Sequence, residues 1–335
     1  MCGIIGTYRG NTEIIKDVIS LLRHRGPDDN GFFLDSSSGI ALGHQRLSII
    51  DTSPLGHQPM ISNDGQVVIV FNGEIYNYQS LRENLAKDGC KFLGNSDTEV
   101  LLNLYLSEGK AMLSKLNGIF AFAIWDNRSK LLFVARDALG VKPLYYCLGD
   151  SIFSFSSEIK ALLEFIPKDT ELNVESIHRY LSFLWCPGQG TPLKSVHKLL
   201  PGEAIIVKDG EIKEKWAWYQ LPIFRGIKGD LTKKDAIIGT VDHLRQAVHR
   251  QMISDVPLGA FLSGGLDSSA VVAFARELNP DIRCFSIETE GKQDPGFVDD
   301  LPYARKVARH LNVTLEVVSV DSRKMAEDLE RKKKL

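Results

Sequence analysis

The sequence predicts an α+β domain in which two sheets pack face to face beneath outer helices, followed by an α/β domain built on a parallel sheet. Three observations carry this. Residues 3–165 hold many short apolar runs and few amphipathic stretches, in no alternating order. From residue 234 onward helix-like and strand-like patterns alternate one for one. Between them lie a hairpin pattern, 203–216, and a stretch rich in glycine and proline, 222–229. A chain of 335 residues, 44% of them hydrophobic, can fill two cores of ordinary size, about 100–200 residues each.

In the first region, strands are expected over 3–8, 40–43, 47–50, 67–71, 119–125, 131–135, 144–147 and 152–155, where apolar and β-branched residues cluster. Helices are expected over 12–22, 79–88 and 97–106. In the first of these Ile14, Ile15, Val18, Ile19 and Leu22 share a face; before the last, Ser96 and Glu99 have capping-box spacing. The closing hairpin turns at Asp209 and Gly210, residues that tolerate positive φ. Beyond it, helix 234–252, strand 256–262, helix 267–278, strand 282–288, helix 302–312 and strand 313–320 read as a parallel, doubly wound sheet, and 321–335 as a helix cut off mid-course. The expected domains are 2–215 and 236–335, with 216–235 as linker.

A net charge of -2 provides no basic footprint for nucleic acid. No apolar run reaches the roughly 18 residues of a membrane-spanning helix, and the N-terminus lacks the pattern of a secretory signal. Cysteines at 2, 90, 147, 186 and 284 suggest neither a disulfide framework nor a zinc site, so a soluble protein of a reducing cytoplasm is expected. Cys90, Cys147, Cys186 and Cys284 read as packed thiols.

Cys2 is different. Removal of Met1, which a small second residue permits, would place a thiol and a free α-amine on one residue. Such an amine, with an ordinary pKa of about 7.7–8.0, can accept the thiol proton and later return it to a leaving group, so no histidine is needed. Met1-Cys2-Gly3-Ile4-Ile5-Gly6, Arg23-His24-Arg25-Gly26-Pro27-Asp28 and Asn72-Gly73-Glu74-Ile75-Tyr76-Asn77 resemble the class II glutamine amidotransferases. With Gly43-His44-Gln45-Arg46-Leu47-Ser48-Ile49-Ile50-Asp51, Asp97-Thr98-Glu99 and Arg136-Asp137-Ala138-Leu139-Gly140-Val141-Lys142-Pro143-Leu144-Tyr145-Tyr146, the sequence resembles the glutamine-hydrolysing asparagine synthetases and their relatives along nearly its whole length.

The resemblance implies an N-terminal nucleophile αββα sandwich in which Cys2 attacks the glutamine amide. The Asn72 side chain and Gly73 N–H would stabilise the oxyanion. Taken alone, Asn72-Gly73 reads equally as a hairpin turn. Arg46 would grip the glutamine carboxylate and Asp97 its ammonium, with Glu74 and the backbone of Leu47, Ile49 and Ile50 completing the pocket. Arg25 and Asp28 read as a structural turn near the site.

In the second region Ser263-Gly264-Gly265-Leu266-Asp267-Ser268-Ser269 follows an apolar strand and opens a helix. Glycines let backbone N–H groups approach an anion, and serines add hydroxyl donors. The loop lacks the Gly-Lys-Ser/Thr ending of γ-phosphate-cleaving enzymes. It is similar to the pyrophosphate loop of PP-loop enzymes, the adenine nucleotide alpha hydrolase-like group, which implies ATP bound by Ser263, Gly264, Gly265 and Ser268. The same resemblance sets Leu262 and Ile287 beside the adenine; by pattern alone both read as core. Asp267 either caps its helix or holds Mg2+. No tightly bound organic cofactor is implied.

The implied reaction releases ammonia from glutamine at Cys2 and uses it to amidate an ATP-activated carboxylate, aspartate's in the family. AMP and pyrophosphate leave, and ammonia travels by an apolar passage. Asp299-Asp300-Leu301-Pro302-Tyr303-Ala304-Arg305 looks more like relatives that amidate sugar acids or other carboxylates. Family chains continue well past this length, so the synthetase domain is expected to be truncated, or a natural fragment that needs a partner. A homodimer would not be unusual.

Overall fold

The computed structural model describes residues 1–166, 170–223, 231–290 and 299–321. They fall into two compact units, Met1–Arg225 and Gly226–Leu335. In chain order the strands of the first are β1 (Gly3–Tyr8), β2 (Asp29–Asp35), β3 (Ile40–Arg46), β4 (Met60–Ile61), β5 (Val67–Ile75), β6 (Gly118–Asp126), β7 (Leu131–Arg136), β8 (Tyr145–Gly149), β9 (Ile152–Ser156), β10 (Val196–Lys198), β11 (Glu203–Lys208) and β12 (Glu211–Ala217). Its helices are α1 (Ile15–Val18), α2 (Tyr78–Lys87), α3 (Asp97–Glu108), α4 (Ile159–Leu162) and α5 (Val174–Phe183).

The strands form two antiparallel six-stranded sheets, β10-β8-β9-β1-β3-β2 and β12-β11-β7-β6-β5-β4. Between them Ile4, Tyr8, Leu42, Phe153 and Phe155 of one sheet meet Val68, Val70, Trp125, Val134 and Ile205 of the other. Strand β1 is buried on both faces, which is why its sequence is apolar apart from Thr7, whose hydroxyl pairs with that of Ser154. Ile4 and Tyr8 point between the sheets, while Ile5 packs outward on Ile15, Val18, Ile19 and Leu22. Outside the second sheet α3 lies against β5, and Tyr105 stacks on Phe133 with centroids 6.0 Å apart. Helix, sheet, sheet, helix is the αββα sandwich.

Local deviations from expectation have physical causes. Residues 47–50 form no strand, because the Leu47 N–H goes to Cys2 Sγ and the Ser48 N–H to Asp28 rather than to a neighbouring strand. Strand β2, hidden behind the Arg-Gly-Pro-Asp turn, pairs with β3 along its whole length. Asn72 and Gly73 are no hairpin turn: β5 continues through them, opposite Ala121 and Phe120 of β6, and leads into α2. The helix expected over 12–22 is one α-turn followed by 3₁₀ geometry over Ile19–Arg25. At α3 the capping box is half made. Ser96 Oγ accepts the Glu99 N–H, but the Glu99 carboxylate accepts from Leu93 and Gly94 instead. The β11–β12 hairpin turns at Asp209 and Gly210, with φ of 55° and 77°.

The second unit contains α6 (Lys233–Gln251), β13 (Gly259–Phe261), α7 (Leu266–Leu278), β14 (Arg283–Glu290), α8 (Leu301–Leu311) and β15 (Thr314–Asp321), with parallel strand order β13-β14-β15. Strand β13 is shorter than the expected 256–262, because Ser254 Oγ ties the Val256 backbone into a turn and Pro257 has no N–H for a ladder. Leu262, Val272, Cys284, Ala304 and Ala308 form its core. The expected double winding is not seen among the described residues. Strands in sequential order with right-handed crossovers put α7 and α8 on one face, and covering both faces needs a reversal of strand order. Phe261 and Ile287, on the other face, are 79% and 59% exposed. The helix expected over 321–335 lies outside the described residues, apart from Asp321, which ends β15.

Phe155 is fully buried, and a Cβ on Gly6 would come 2.5 Å from its ring. Phe155→Ala leaves a void where the sheets meet and should lower unfolding stability by about 3–5 kcal/mol in denaturant titration. A loss under about 1 kcal/mol would contradict this packing.

Candidate active site

Cys2 stands at the start of β1, with its Sγ 3.4 Å from the Leu47 nitrogen, which donates to it, and 3.6 Å from the Leu47 carbonyl. Burial pushes its thiol pKa up, and the Leu47 N–H opposes that only in part. A buried thiol of this kind needs a base before it can attack. Arg25 Nε donates to the Cys2 carbonyl at 2.9 Å, and Asp28 accepts from Ser48 at 2.8 Å. These two turn residues therefore also fasten the cysteine and the 46–48 segment.

The small cleft at Cys2 is lined by Arg46, Leu47, Ile49, Ile50, Gly73, Glu74 and Asp97, all of them expected from sequence. Gln58, Phe71 and Thr98, which the sequence reading missed, line it as well. The Arg46 guanidinium is aimed by three backbone carbonyls, those of Asp51 (2.5 Å), Ile50 (3.3 Å) and Ser53 (3.4 Å). Glycine is obligatory at 73, since a Cβ would lie 2.4 Å from the Ile119 carbonyl oxygen. Asn72, next to it, is fully buried, and neither Nδ2 nor Oδ1 has a partner among the described residues. Buried side-chain amides are nearly always satisfied, which sets this one apart from the rest of the core.

At the far end of the cleft, Asp97 accepts the Ile75 N–H at 3.0 Å. Burial drives its carboxyl up to about 6. Glu74 is raised to about 8, first by burial and then by the charge of Asp97. The two carboxyls line the same cleft and act on each other electrostatically. Lys142 is also buried here; burial lowers its pKa, while Glu74 and Cys2 favour its charged form. It reaches this position because Asp137 accepts the N–H groups of Leu139, Val141, Lys142 and Phe120, which pins the 137–142 loop to β6. Arg136 grips the carbonyls of Gly140, Lys142 and Leu199 from the other side. Such residues act through distant backbone, and only the surrounding motif hints at them.

In the second unit, Gly264 has a φ of 80°, and a Cβ there would lie 2.4 Å from the Tyr303 carbonyl carbon. Gly265 caps α7 without any side-chain cap, so the first-turn N–H groups face outward beside Ser263 and Ser268, whose hydroxyls are 3.0 Å apart. Donors at a helix N-terminus fit a diphosphate. Asp267 lies in that first turn. No group of three His, Cys, Asp or Glu side chains suited to a metal occurs among the described residues. Leu262 is buried in the core, so of the two residues expected beside adenine only Ile287 offers an open apolar surface. No helix among the described residues is long and apolar enough to cross a membrane.

Residues 1–219 match the family model described as glutamine amidotransferase domain, and residues 240–332 match asparagine synthase. The chain is 38% identical to asparagine synthetase [glutamine-hydrolyzing] 1 of Bacillus subtilis, over 93% of this chain and 49% of that protein. It is 39% identical to putative asparagine synthetase [glutamine-hydrolyzing] 2 of Methanocaldococcus jannaschii, over 92% and 62%. It is also 32% identical to amidase chry2 of Gibberella zeae, over 94% and 48%. The chain thus spans about half to three fifths of the length of these relatives. With the αββα sandwich and the cleft at Cys2, the match over residues 1–219 means that the chain belongs to the glutamine amidotransferase family, with an asparagine synthase segment following.

Proposed function

We propose that the first unit hydrolyses glutamine and supplies ammonia for amidation of an ATP-activated carboxylate. One observation carries the reading: the Asn72 amide is buried with neither polar end partnered among the described residues, beside an obligatory glycine, in a chain whose second residue is a buried thiol. Leaving such a group unsatisfied costs about 1–3 kcal/mol, a cost offset when an oxyanion arrives.

Met1 is removed, and the freed α-amine of Cys2 takes the thiol proton. Sγ then attacks the glutamine carboxamide carbon, and the oxyanion accepts from Asn72 Nδ2 and the Gly73 N–H. The tetrahedral intermediate expels ammonia with the proton returned by the amine, and water hydrolyses the thioester to glutamate. Arg46 binds the glutamine carboxylate, and Asp97 with Glu74 binds its ammonium. The backbone of Leu47, Ile49 and Ile50 shapes the pocket.

In the second unit, Ser263, Gly264, Gly265 and Ser268 hold the phosphates of ATP, whose cleavage activates the acceptor. Asp267 is the residue available for Mg2+, and Ile287 offers apolar surface to the adenine. Aspartate is the acceptor that the names of the asparagine synthetase relatives suggest, one relative is named an amidase, and the 299–305 motif keeps a sugar acid or other carboxylate as the alternative. The free thiol at Cys2 suits a reducing, cytoplasmic setting.

Treatment with a glutamine-mimicking electrophile followed by mass spectrometry should find Met1 absent and a single adduct on Cys2. Full glutamine hydrolysis by protein that retains Met1 would rule out the α-amine as base. The carboxyl pair sets a pH dependence. Both groups are raised above the ordinary carboxylate range, so they bind protons near neutrality, and the glutamine ammonium requires them ionised. The KM for glutamine should therefore fall as pH rises from about 6 to about 8. A KM that is flat or rising across that window removes the pair from ammonium binding. Among carboxylic acids offered with glutamine and ATP, aspartate should give the fastest AMP release; AMP release with a sugar acid alone would reassign the acceptor.

A further inference from the structure

The oxyanion pair sits on one sheet and the nucleophile and Arg46 on the other, so their spacing depends on a tie between sheets. Strand β4 pairs with β5 only at Ile69 and Val68. At Phe71 that edge of β5 has no neighbouring strand among the described residues, and two side chains take the place of the missing ladder. Gln58 Oε1 accepts the Phe71 N–H at 2.7 Å, and His44 Nε2 lies 2.9 Å from the Phe71 carbonyl. Gln58 is itself held by its Nε2, which donates to Thr98 Oγ1 at 3.2 Å, next to Asp97.

His44 belongs to β3, opposite Ile4 of β1 and two residues before Arg46, so its bond to Phe71 crosses from one sheet to the other. A carbonyl can only accept, which makes Nε2 the protonated nitrogen. His44 is fully buried, and its Nδ1 has no partner among the described residues. We propose that His44 is a positioning residue of the glutaminase reaction: its neutral Nε2–H holds the Phe71 carbonyl and so fixes Asn72 and Gly73 at the distance from Cys2 that the oxyanion requires. The inference rests on Asn72 and Gly73 being the oxyanion donors.

Its surroundings keep the imidazole neutral. Burial holds its pKa down to about 3, and the cation Arg46 acts in the same direction. The Phe71 hydrogen bond and Asp29 oppose them without prevailing, while His57, hydrogen-bonded to Asp29 at 2.7 Å, adds to the lowering. A protonated ring would also bury a second N–H with nothing to accept it.

The test uses the full chain and glutamate release from glutamine. His44→Leu should lower kcat about 10- to 100-fold with KM changed less than about 3-fold, because donor aim is lost and substrate binding is not. His44→Gln, whose Nε2 can reach the same carbonyl, should recover turnover to within about 3-fold of the parent. Combined with Asn72→Ala, His44→Leu should cost less than it does alone, since one of the two donors it aims is already gone and only Gly73 still depends on it. Unchanged kcat in His44→Leu, or losses that multiply in the double variant, overturns the proposal.

Should His44→Leu not fold, histidine-selective nitrogen NMR of the unaltered chain decides. The Nε2–H tautomer persisting from about pH 5 to pH 8 together with an active His44→Gln supports the assignment. An Nδ1–H tautomer, titration in that window, or an inactive folded His44→Gln overturns it. Asn72→Ala with full turnover would instead remove the oxyanion reading, a failure separate from that of His44, and the proposal with it.

Discussion

The cleft of the first unit depends on holding two sheets at a fixed separation where they exchange no ladder hydrogen bonds among the described residues. Cys2 and Arg46 end adjacent strands of one sheet, Asn72 and Gly73 lie on an edge of the other, and an apolar layer of Phe153, Phe155 and Trp125 fills the space between. Sheets so packed stand about 10 Å apart, a distance set by side-chain volume. Hydrophobic burial supplies the attraction but has no direction, so it leaves the sheets free to slide by fractions of an ångström. One directional contact opposes that sliding, His44 to Phe71 across the sandwich, while Arg25 to the Cys2 carbonyl and Asp28 to Ser48 fasten the ends of the first sheet's strands.

The cleft is thus built almost entirely from backbone gripped by side chains. Arg46 is aimed by three carbonyls, Asp97 by an N–H of β5, and the 137–142 loop by four N–H groups converging on one carboxylate. Rigid support of this kind keeps donors in place before charge develops, which is where their electrostatic effect is greatest. The unsatisfied Asn72 amide and the elevated carboxyls of Glu74 and Asp97 are two places where the free protein stays under electrostatic tension. A substrate with a polarised carbonyl and an ammonium would relieve it at both.

The second unit is organised differently. A three-stranded parallel sheet with helices on one face exposes Phe261 and Ile287 on the other. The anion loop is formed regardless, since its shape follows from Gly264, the start of α7 and the close approach of Tyr303, all of them internal to that unit.

Residue type and spacing, with the resemblance they carry, determined the αββα class, the parallel character of the second sheet, and the candidates Cys2, Arg46, Asp97 and the Ser263–Ser269 loop, because an uncommon chemistry restricts which side chains serve. Local patterning failed where partners decide. Leu47 to Ile50 has strand composition but spends its N–H groups on Cys2 and Asp28, and Asn72-Gly73 has turn composition but is held straight by β6. His44 is placed by a carbonyl 27 residues away in the chain, and Gln58 by a hydroxyl 40 residues away. Asp137 is tied to a backbone N–H 17 residues before it, and that tie holds Lys142 within electrostatic reach of Cys2 and Glu74. Hydrogen bonding and desolvation depend on what stands beside a group in space, and only the packed sheets decide that.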